Sequence, residues 1–376
     1  MRQNVFVLGA TGKVGRELLG QIAGRDVPEL RKHENPTIVI GLADSQHFIV
    51  REGGFSQEFL QQFAATKQRV GEIIGSVPHI PEDITLIPSH MADCGYGEEL
   101  VYADVTGEKE SAKDFHLKII KDTTSKIATA NKNPVGLFDY ETYKTLTADP
   151  TRYRYSATTM AGLGAVPWLS ERHTIGDRVH QIDASLSGTL GFITDALSQG
   201  RSLSDAIKHA QYLGFTEPDF RDDLNGIDVA RKLTILAREA GYSVNIHDIQ
   251  ITPFLPPEYF QISDPQECLA AIESDLDQKM SENLLDTQWN KKSKRYLASL
   301  LFDENDQLKL SVGTTLVDLD SPFARLHGTD NYIQVITDMY TDKKPYRLQG
   351  PGAGLEITAS VLRRDLVNLQ SSISRF

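Results

Sequence analysis

An apolar run, Val5-Phe6-Val7-Leu8, leads into Gly9-Ala10-Thr11-Gly12-Lys13-Val14-Gly15, and helical spacing of Val14, Leu18, Leu19 and Ile22 follows at once. This strand, turn and helix constrain the fold more than any other feature of the sequence. Four consecutive apolar residues bounded by glycine fit a strand covered on both faces, as in a parallel sheet. The chain must then turn into a helix packed on the same sheet, and glycine supplies the positive φ and the close backbone approach that such a turn needs. The start of the helix presents unpaired N–H groups and a partial positive charge, which suits a pyrophosphate. The spacing is GxxGxxG and not GxGxxG, with Ala10 where a glycine is usual, but the strand-turn-helix context favours a dinucleotide site over a merely structural turn. An acid after the second strand would bind an adenosine ribose. Asp44 is the nearest candidate, and Arg51 beyond it leaves NAD and NADP both open.

Further strands are expected at residues 37–42, 100–104 and 126–129, with helical patterns at 57–74 and 113–123. Strands alternating with helices predict a parallel sheet covered on both faces. Residues 44–55 and 75–96 read as loops or insertions. After Pro150 the pattern changes. Residues 182–190 alternate as a strand does, 193–199 and 203–213 are helical, and a long helix spans about 226–241. Residues 295–302, 308–317 and 332–340 alternate as half-buried strands. Gly350, Gly352 and Gly354 then precede a final helix over 355–369. The expected class is α/β: a Rossmann-type parallel-sheet domain over residues 1–150 plus 354–376, and a second α+β domain over 151–348, a mixed open sheet covered by helices.

A chain of 376 residues with 40% hydrophobic and 24% charged residues is globular and long enough for two such domains. No apolar run reaches the roughly 18 residues of a membrane helix, and residues 1–4 lead into the first strand without a secretory pattern, so a cytoplasmic protein is expected. The net charge of −12 disfavours nucleic acid and anionic membranes as partners. Cys94 and Cys268 stand apart, outside any CxxC pair, and imply neither a disulfide framework nor a zinc site.

The richest polar segment covers residues 214–232. Glu217, Asp219, Asp222 and Asp223 precede a helix in which Asp228 and Lys232 stand four residues apart and share a face. Three readings compete. The acids could complement the helix N-terminus while Asp228 and Lys232 form a surface pair worth roughly 0.3–0.5 kcal/mol. A calcium loop would put Asp223, Asn225 and Gly226 at its third, fifth and sixth positions, but the cations Arg221 and Lys232 at its first and twelfth exclude it. The third reading is a polar site for a small zwitterion, with carboxylates receiving an ammonium group and the lysine transferring a proton.

Here a resemblance becomes specific. Thr216-Glu217-Pro218-Asp219, Arg221-Asp222-Asp223-Leu224, Gly226 and Asp228-Val229-Ala230-Arg231-Lys232 together resemble the signature of the homoserine dehydrogenase family. Ser187-Gly188-Thr189 with Phe192-Ile193 is similar to its substrate loop, Ala130-Asn131-Lys132 to its lysine-bearing turn, and residues 350–358 to its C-terminal glycine turn. The islands run in the family's order over residues 5–365, and match least over 26–96. The resemblance implies a homodimer that uses NADP or NAD to interconvert aspartate semialdehyde and homoserine, a small amino acid, on the route to threonine and methionine. It implies Lys232 as proton donor beside Asp228, and a substrate held by Glu217, Asp228, Asp223 and Thr189. Thr11, Gly12, Lys13, Val14, Thr106, Lys132, Gly214 and Gly354 fall where the family contacts its cofactor. A sodium ion on the backbone carbonyls of Thr159, Ala161 and Leu163 is also implied. Ser156 stands at the usual glutamate of that site and Met160 at a usual glycine, so sodium binding is expected to be weakened.

Lys132, taken alone, reads as a solvated loop lysine. Aspartate-semialdehyde dehydrogenases share the opening turn but need an acyl-forming cysteine in mid-chain, and no cysteine lies between Cys94 and Cys268. Ser156 and Met160 keep two other readings open: a dehydrogenase diverged toward another small amino-acid semialdehyde, and a catalytically silent dinucleotide-binding protein.

Overall fold

The computed structural model describes residues 3–25, 37–73, 84–96, 100–280, 291–352 and 354–371. The chain divides into two compact units, Met1–Gly162 with Ala353–Phe376, and Leu163–Gly352.

In the first unit β1 (Gln3–Leu8), β2 (Thr37–Ala43), β3 (Phe48–Val50), β4 (Leu100–Asp104), β5 (Lys126–Thr129) and β6 (Tyr153–Arg154) form one sheet. Their order is β3-β2-β1-β4-β5-β6, parallel except for the β2–β3 pair. The order reverses between β1 and β4, where an open α/β sheet leaves a crevice beyond the carboxyl ends of its strands. Alternate residues serve opposite faces. Val5, Val7, Val101 and Ala103 share a core with Leu18, Leu19 and Ile22 of the helix Lys13–Arg25 and with Leu362 and Leu366 of the helix Leu355–Ser371. On the alternate positions Phe6 and Tyr102 pack with Phe48 and Phe115.

Residues 44–55, expected as a loop, contain β3, which turns back along β2 with Gly41 opposite Val50. The helix expected over 57–74 ends at Ala65 and is followed by one 3-10 turn, Val70–Glu72. Residues 74–83 lie outside the described residues, and with them part of the expected 75–96 loop; the remainder includes the short helix Ile87–Asp93. The unit continues past Pro150 to Gly162 because β6 adds to the sheet beside β5, Tyr153 opposite Ile127.

In the second unit β7 (Val179–Ser185), β8 (Gln250–Ile251), β9 (Lys292–Phe302), β10 (Leu308–Asp318), β11 (Asp330–Thr337) and β12 (Tyr346–Pro351) form a mixed sheet in the order β12-β11-β7-β9-β10-β8, antiparallel except for β8 with β10. The helices Gly188–Ser198 and Ile227–Glu239 pack on it. The strand expected over 182–190 stops at Ser185. Ser187 Oγ accepts the Leu190 N–H at 3.1 Å, an N-cap that starts a helix at Gly188. Among the described residues no helix is long and apolar enough to cross a membrane.

Candidate active site

The turn after β1 is shaped by contacts that exclude side chains. Gly9 has φ +78°, and a Cβ on it would lie 3.2 Å from the backbone nitrogen of Thr106. A Cβ on Gly15 would lie 2.9 Å from Ala10 Cα and overlap the Gly9 carbonyl, so the helix Lys13–Arg25 starts hard against the turn. The fold thus gathers Thr11, Gly12, Lys13, Val14 and Thr106 at the reversal between β1 and β4. A turn opened by Gly9 and Gly12, a helix N-terminus and a threonine hydroxyl fit a dinucleotide's phosphates.

Beneath Thr106 lies a buried polar chain that the sequence reading missed. Asp104 ends β4, and its Oδ1 accepts the Thr106 N–H at 2.9 Å and the Thr106 hydroxyl at 2.7 Å. Asp104 Oδ2 is 3.1 Å from His116 Nε2, and His116 Nδ1 is 2.8 Å from the Tyr153 hydroxyl. Burial favours the neutral acid, yet His116 and the two Thr106 donors outweigh it and hold the Asp104 carboxyl below the usual range. The one available signal was an acid at the end of an apolar strand. Asn131 Nδ2 donates to Glu108 O at 2.9 Å and Asn133 Nδ2 to Gly107 O at 3.0 Å, so Lys132, half-buried between them, belongs to the same loop cluster. Gly354, with φ +151°, directly precedes the last helix of this unit.

In the second unit, the helix Ile227–Glu239 begins at Gly226, whose φ is +79°. A Cβ there would overlap the Tyr296 hydroxyl, which donates to Thr252 O at 2.8 Å. Asp228 lies in the first turn and Lys232 one turn on. Lys232 Nζ is 3.0 Å from Asp228 Oδ2 and donates to Leu186 O at 2.8 Å. The lysine side chain is only 15% exposed, so this is no freely solvated surface pair. Leu186 belongs to the loop between β7 and the helix Gly188–Ser198, and a backbone carbonyl leaves no trace in a sequence.

The same loop brings Thr189 to the acids. Thr189 Oγ1 donates to Phe215 O at 2.5 Å and lies 3.1 Å from Asp223 Oδ1, while Asp223 Oδ2 accepts the Glu217 N–H at 2.8 Å. A threonine has one hydroxyl proton, so when Phe215 takes it, Asp223 meets an oxygen lone pair unless it carries a proton itself. Burial, with the nearby charges of Glu217 and Asp228 adding to it, pushes the Asp223 carboxyl up, against the Glu217 N–H and the Thr189 hydroxyl, which oppose the rise. Thr189, Glu217, Asp223, Asp228 and Lys232 are therefore one constellation. The other acids differ: Asp219 is paired with Arg221 at 2.5 Å and Asp222 is exposed. Gly214, with φ +72°, closes the helix Leu203–Tyr212 through its N–H to Gln211 O at 3.0 Å.

At the sodium candidate, Thr159 and Ala161 lie in the first unit and Leu163 opens the second. Met160 has φ +46°, so it keeps a conformation that favours glycine. The Ser156 N–H donates to Asp365 Oδ2 at 2.9 Å. Residues 156–163 themselves carry no carboxylate, and among the described residues no group of three or more His, Cys, Asp or Glu is placed to hold a metal.

Comparison with known proteins places these features in context. The profile of the homoserine dehydrogenase family matches residues 166–367. The chain is 34% identical over 263 residues to homoserine dehydrogenase of Saccharomyces cerevisiae, covering 68% of this chain and 71% of that one. It is 30% identical over 365 residues to a chloroplastic bifunctional aspartokinase/homoserine dehydrogenase of Zea mays, covering 96% of this chain but 38% of that protein. The chain thus spans well under half the length of the bifunctional relatives it matches. Among solved structures, a Candida auris protein of unknown function has TM-score 0.84 at 28% identity over 99% of both chains. A hyperthermophilic archaeal homoserine dehydrogenase in complex with NADPH has TM-score 0.71 at 21% identity over 99% of this chain and 98% of that one, a likeness of fold.

Proposed function

The chain belongs to the homoserine dehydrogenase family, and from that premise we propose that it interconverts aspartate semialdehyde and homoserine with NADP or NAD. The observation that carries the reading is Lys232, two of whose N–H donors are occupied by Asp228 and Leu186 O while three further polar residues of the constellation stand nearby. The nicotinamide, when bound through the glycine turn with Thr106 and Lys132, supplies the hydride. Lys232 uses its remaining donor to hold the substrate's carbonyl oxygen and passes it a proton as the alcohol forms. In the reverse direction the hydroxyl proton returns to the amine. Glu217 and Asp228 receive the substrate's ammonium group, and Asp223 fixes the Glu217 backbone that presents one of these carboxylates.

The proposed assay follows NADPH and NADH consumption with aspartate semialdehyde, with other short semialdehydes and with none. Preference for aspartate semialdehyde supports the reading; preference for another aldehyde makes this a diverged dehydrogenase, and inactivity with all of them a silent binding protein. We further propose that the activity feeds threonine and methionine synthesis, that it does not depend on sodium, and that the chain forms a homodimer. Sedimentation tests the last point. The plant relatives are named as chloroplastic; for this chain the proposed compartment is the cytoplasm, tested by localising a tagged chain.

A further inference from the structure

The second unit contains a cavity of about 170 Å³ that the constellation around Lys232 does not use. The last turns of the helix Gly188–Ser198 line one side of it, and the start of β9 with Thr314 of β10 lines the other. From Thr189 to Ser198 the helix rises roughly 13 Å, at about 1.5 Å per residue, so the cavity and the constellation stand at opposite ends of one helix.

The helix side is apolar in effect. Leu197 is buried, the Thr194 hydroxyl donates to Leu190 O at 2.8 Å, and the Ser198 hydroxyl donates to Asp195 O at 2.7 Å, so both hydroxyls are spent inside their own helix. Phe254 and the exposed Leu319 extend this lining. The strand side carries charge. Lys292 and Lys294 alternate along β9 and so share a face. Lys292 Nζ is 2.6 Å from Asp318 Oδ1 in an exposed pair, whereas Lys294 is half-buried at the cavity. Ser293 is buried between them, and its Oγ accepts from Arg295 Nη1 at 3.0 Å, which leaves the Ser293 hydroxyl proton for another acceptor. Arg295, only 3% exposed, also donates to Thr194 O at 3.1 Å and fixes β9 to the helix. Asp195 is 3.9 Å from Arg295 and accepts the Gly328 N–H at 3.2 Å.

We propose that this cavity is a binding site for a small monocarboxylate with an apolar body of about six carbons. An engineered cavity of about 150 Å³ holds one benzene molecule, so the volume admits such a body but no nucleotide or peptide. The carboxylate meets the Lys294 ammonium and the Ser293 hydroxyl in charge-assisted bonds, and Lys292 adds an attraction that Asp318 partly offsets. The body rests against Leu197, Phe254 and Leu319. In a chain of net charge −12, two lysines beside an apolar hollow select an anion by charge and its body by burial.

The test is equilibrium dialysis of 4-methylpentanoate against the full chain, beside 4-methylpentanamide and 4-methylpentylamine, which share the body but carry no charge or the opposite one. The carboxylate should saturate a single site with a Kd of about 1 mM or below, the range open to so small a ligand. The amide should bind at least about tenfold more weakly, and the amine not measurably. Lys294→Gln should weaken the carboxylate by about 10-fold or more and change the amide little. Ser198→Phe, which sets a ring into the cavity, should abolish binding of both. Lys232→Ala should change none of these affinities, which separates the cavity from the proposed substrate site. Equal binding of carboxylate and amide overturns the proposal, as does the absence of saturation in the folded wild type. So does carboxylate binding that survives Ser198→Phe or is lost in Lys232→Ala. Should Ser198→Phe fail to fold, Lys294→Gln and the amide comparison decide alone.

Discussion

Gly226 is where the fold of the second unit and the position of Lys232 depend on one missing side chain. Gly226→Ala forces a non-glycine residue into φ +79°, which costs roughly 1–2 kcal/mol. The new Cβ would overlap the Tyr296 hydroxyl and lie 3.1 Å from Ile251 Cγ2. If the tyrosine swings away, its 2.8 Å bond to Thr252 O is lost, which adds about 1–3 kcal/mol for the polar groups left behind. The total is about 2–5 kcal/mol, readable as a fall in the urea midpoint by circular dichroism. Tyr296→Phe removes the overlapping atom. On its own it should cost about 1 kcal/mol, but in the Gly226→Ala background it should be neutral or favourable, so the double-mutant cycle should show at least about 1 kcal/mol of coupling. Turnover should fall in Gly226→Ala, because a displaced first turn moves Lys232 from the Leu186 carbonyl. Strictly additive costs, or a single-mutant cost below about 0.5 kcal/mol, would refute the reasoning.

Asp223→Asn supplies an N–H for Thr189 Oγ1 while keeping an acceptor for the Glu217 N–H, so it should stabilise the protein at neutral pH and lower activity, a trade-off typical of functional carboxylates. Since burial and then its acidic neighbours raise the folded Asp223 carboxyl, its contribution to stability is complete below the unfolded value near 4 and is lost as pH rises through the folded value; melting curves from pH 4 to 8 should show this contribution in the wild type and lack it in Asp223→Asn. Gly12→Val sets a branched side chain where a Cβ already lies 3.3 Å from Gly9 O and where a pyrophosphate would approach, so NADPH affinity should drop in a folded variant; unchanged affinity would move the cofactor elsewhere. Activity should respond alike to sodium, potassium and choline at equal ionic strength, because Ser156 offers no carboxylate, and a strong selective response to sodium would show that the carbonyls suffice.

The glycine turn, the strands β1, β2, β4 and β5 and the helix bearing Asp228 and Lys232 were legible because each depends on local pattern: apolar runs, glycine spacing, residues four apart. What stayed hidden depends on contacts between distant segments. The strand expected through 190 ended at Ser185 because one serine hydroxyl caps a helix. Asp44 was legible as an acid after β2, but both its oxygens accept backbone N–H groups, among them that of Val70, which no spacing rule connects to it. Asp104, His116 and Tyr153 are scattered residue types until the sheet stacks them, and the Leu186 carbonyl that orients Lys232 has no side-chain signature at all.

The proposed role of Lys232 is tested most directly by the turnover of Lys232→Ala with aspartate semialdehyde, measured beside its NADPH affinity. General acid catalysis by the lysine predicts a fall in kcat of roughly 10²–10⁴-fold with NADPH binding nearly unchanged. Near-normal turnover in the folded variant would reduce Lys232 and Asp228 to a structural ion pair and make Lys132 the next residue to test.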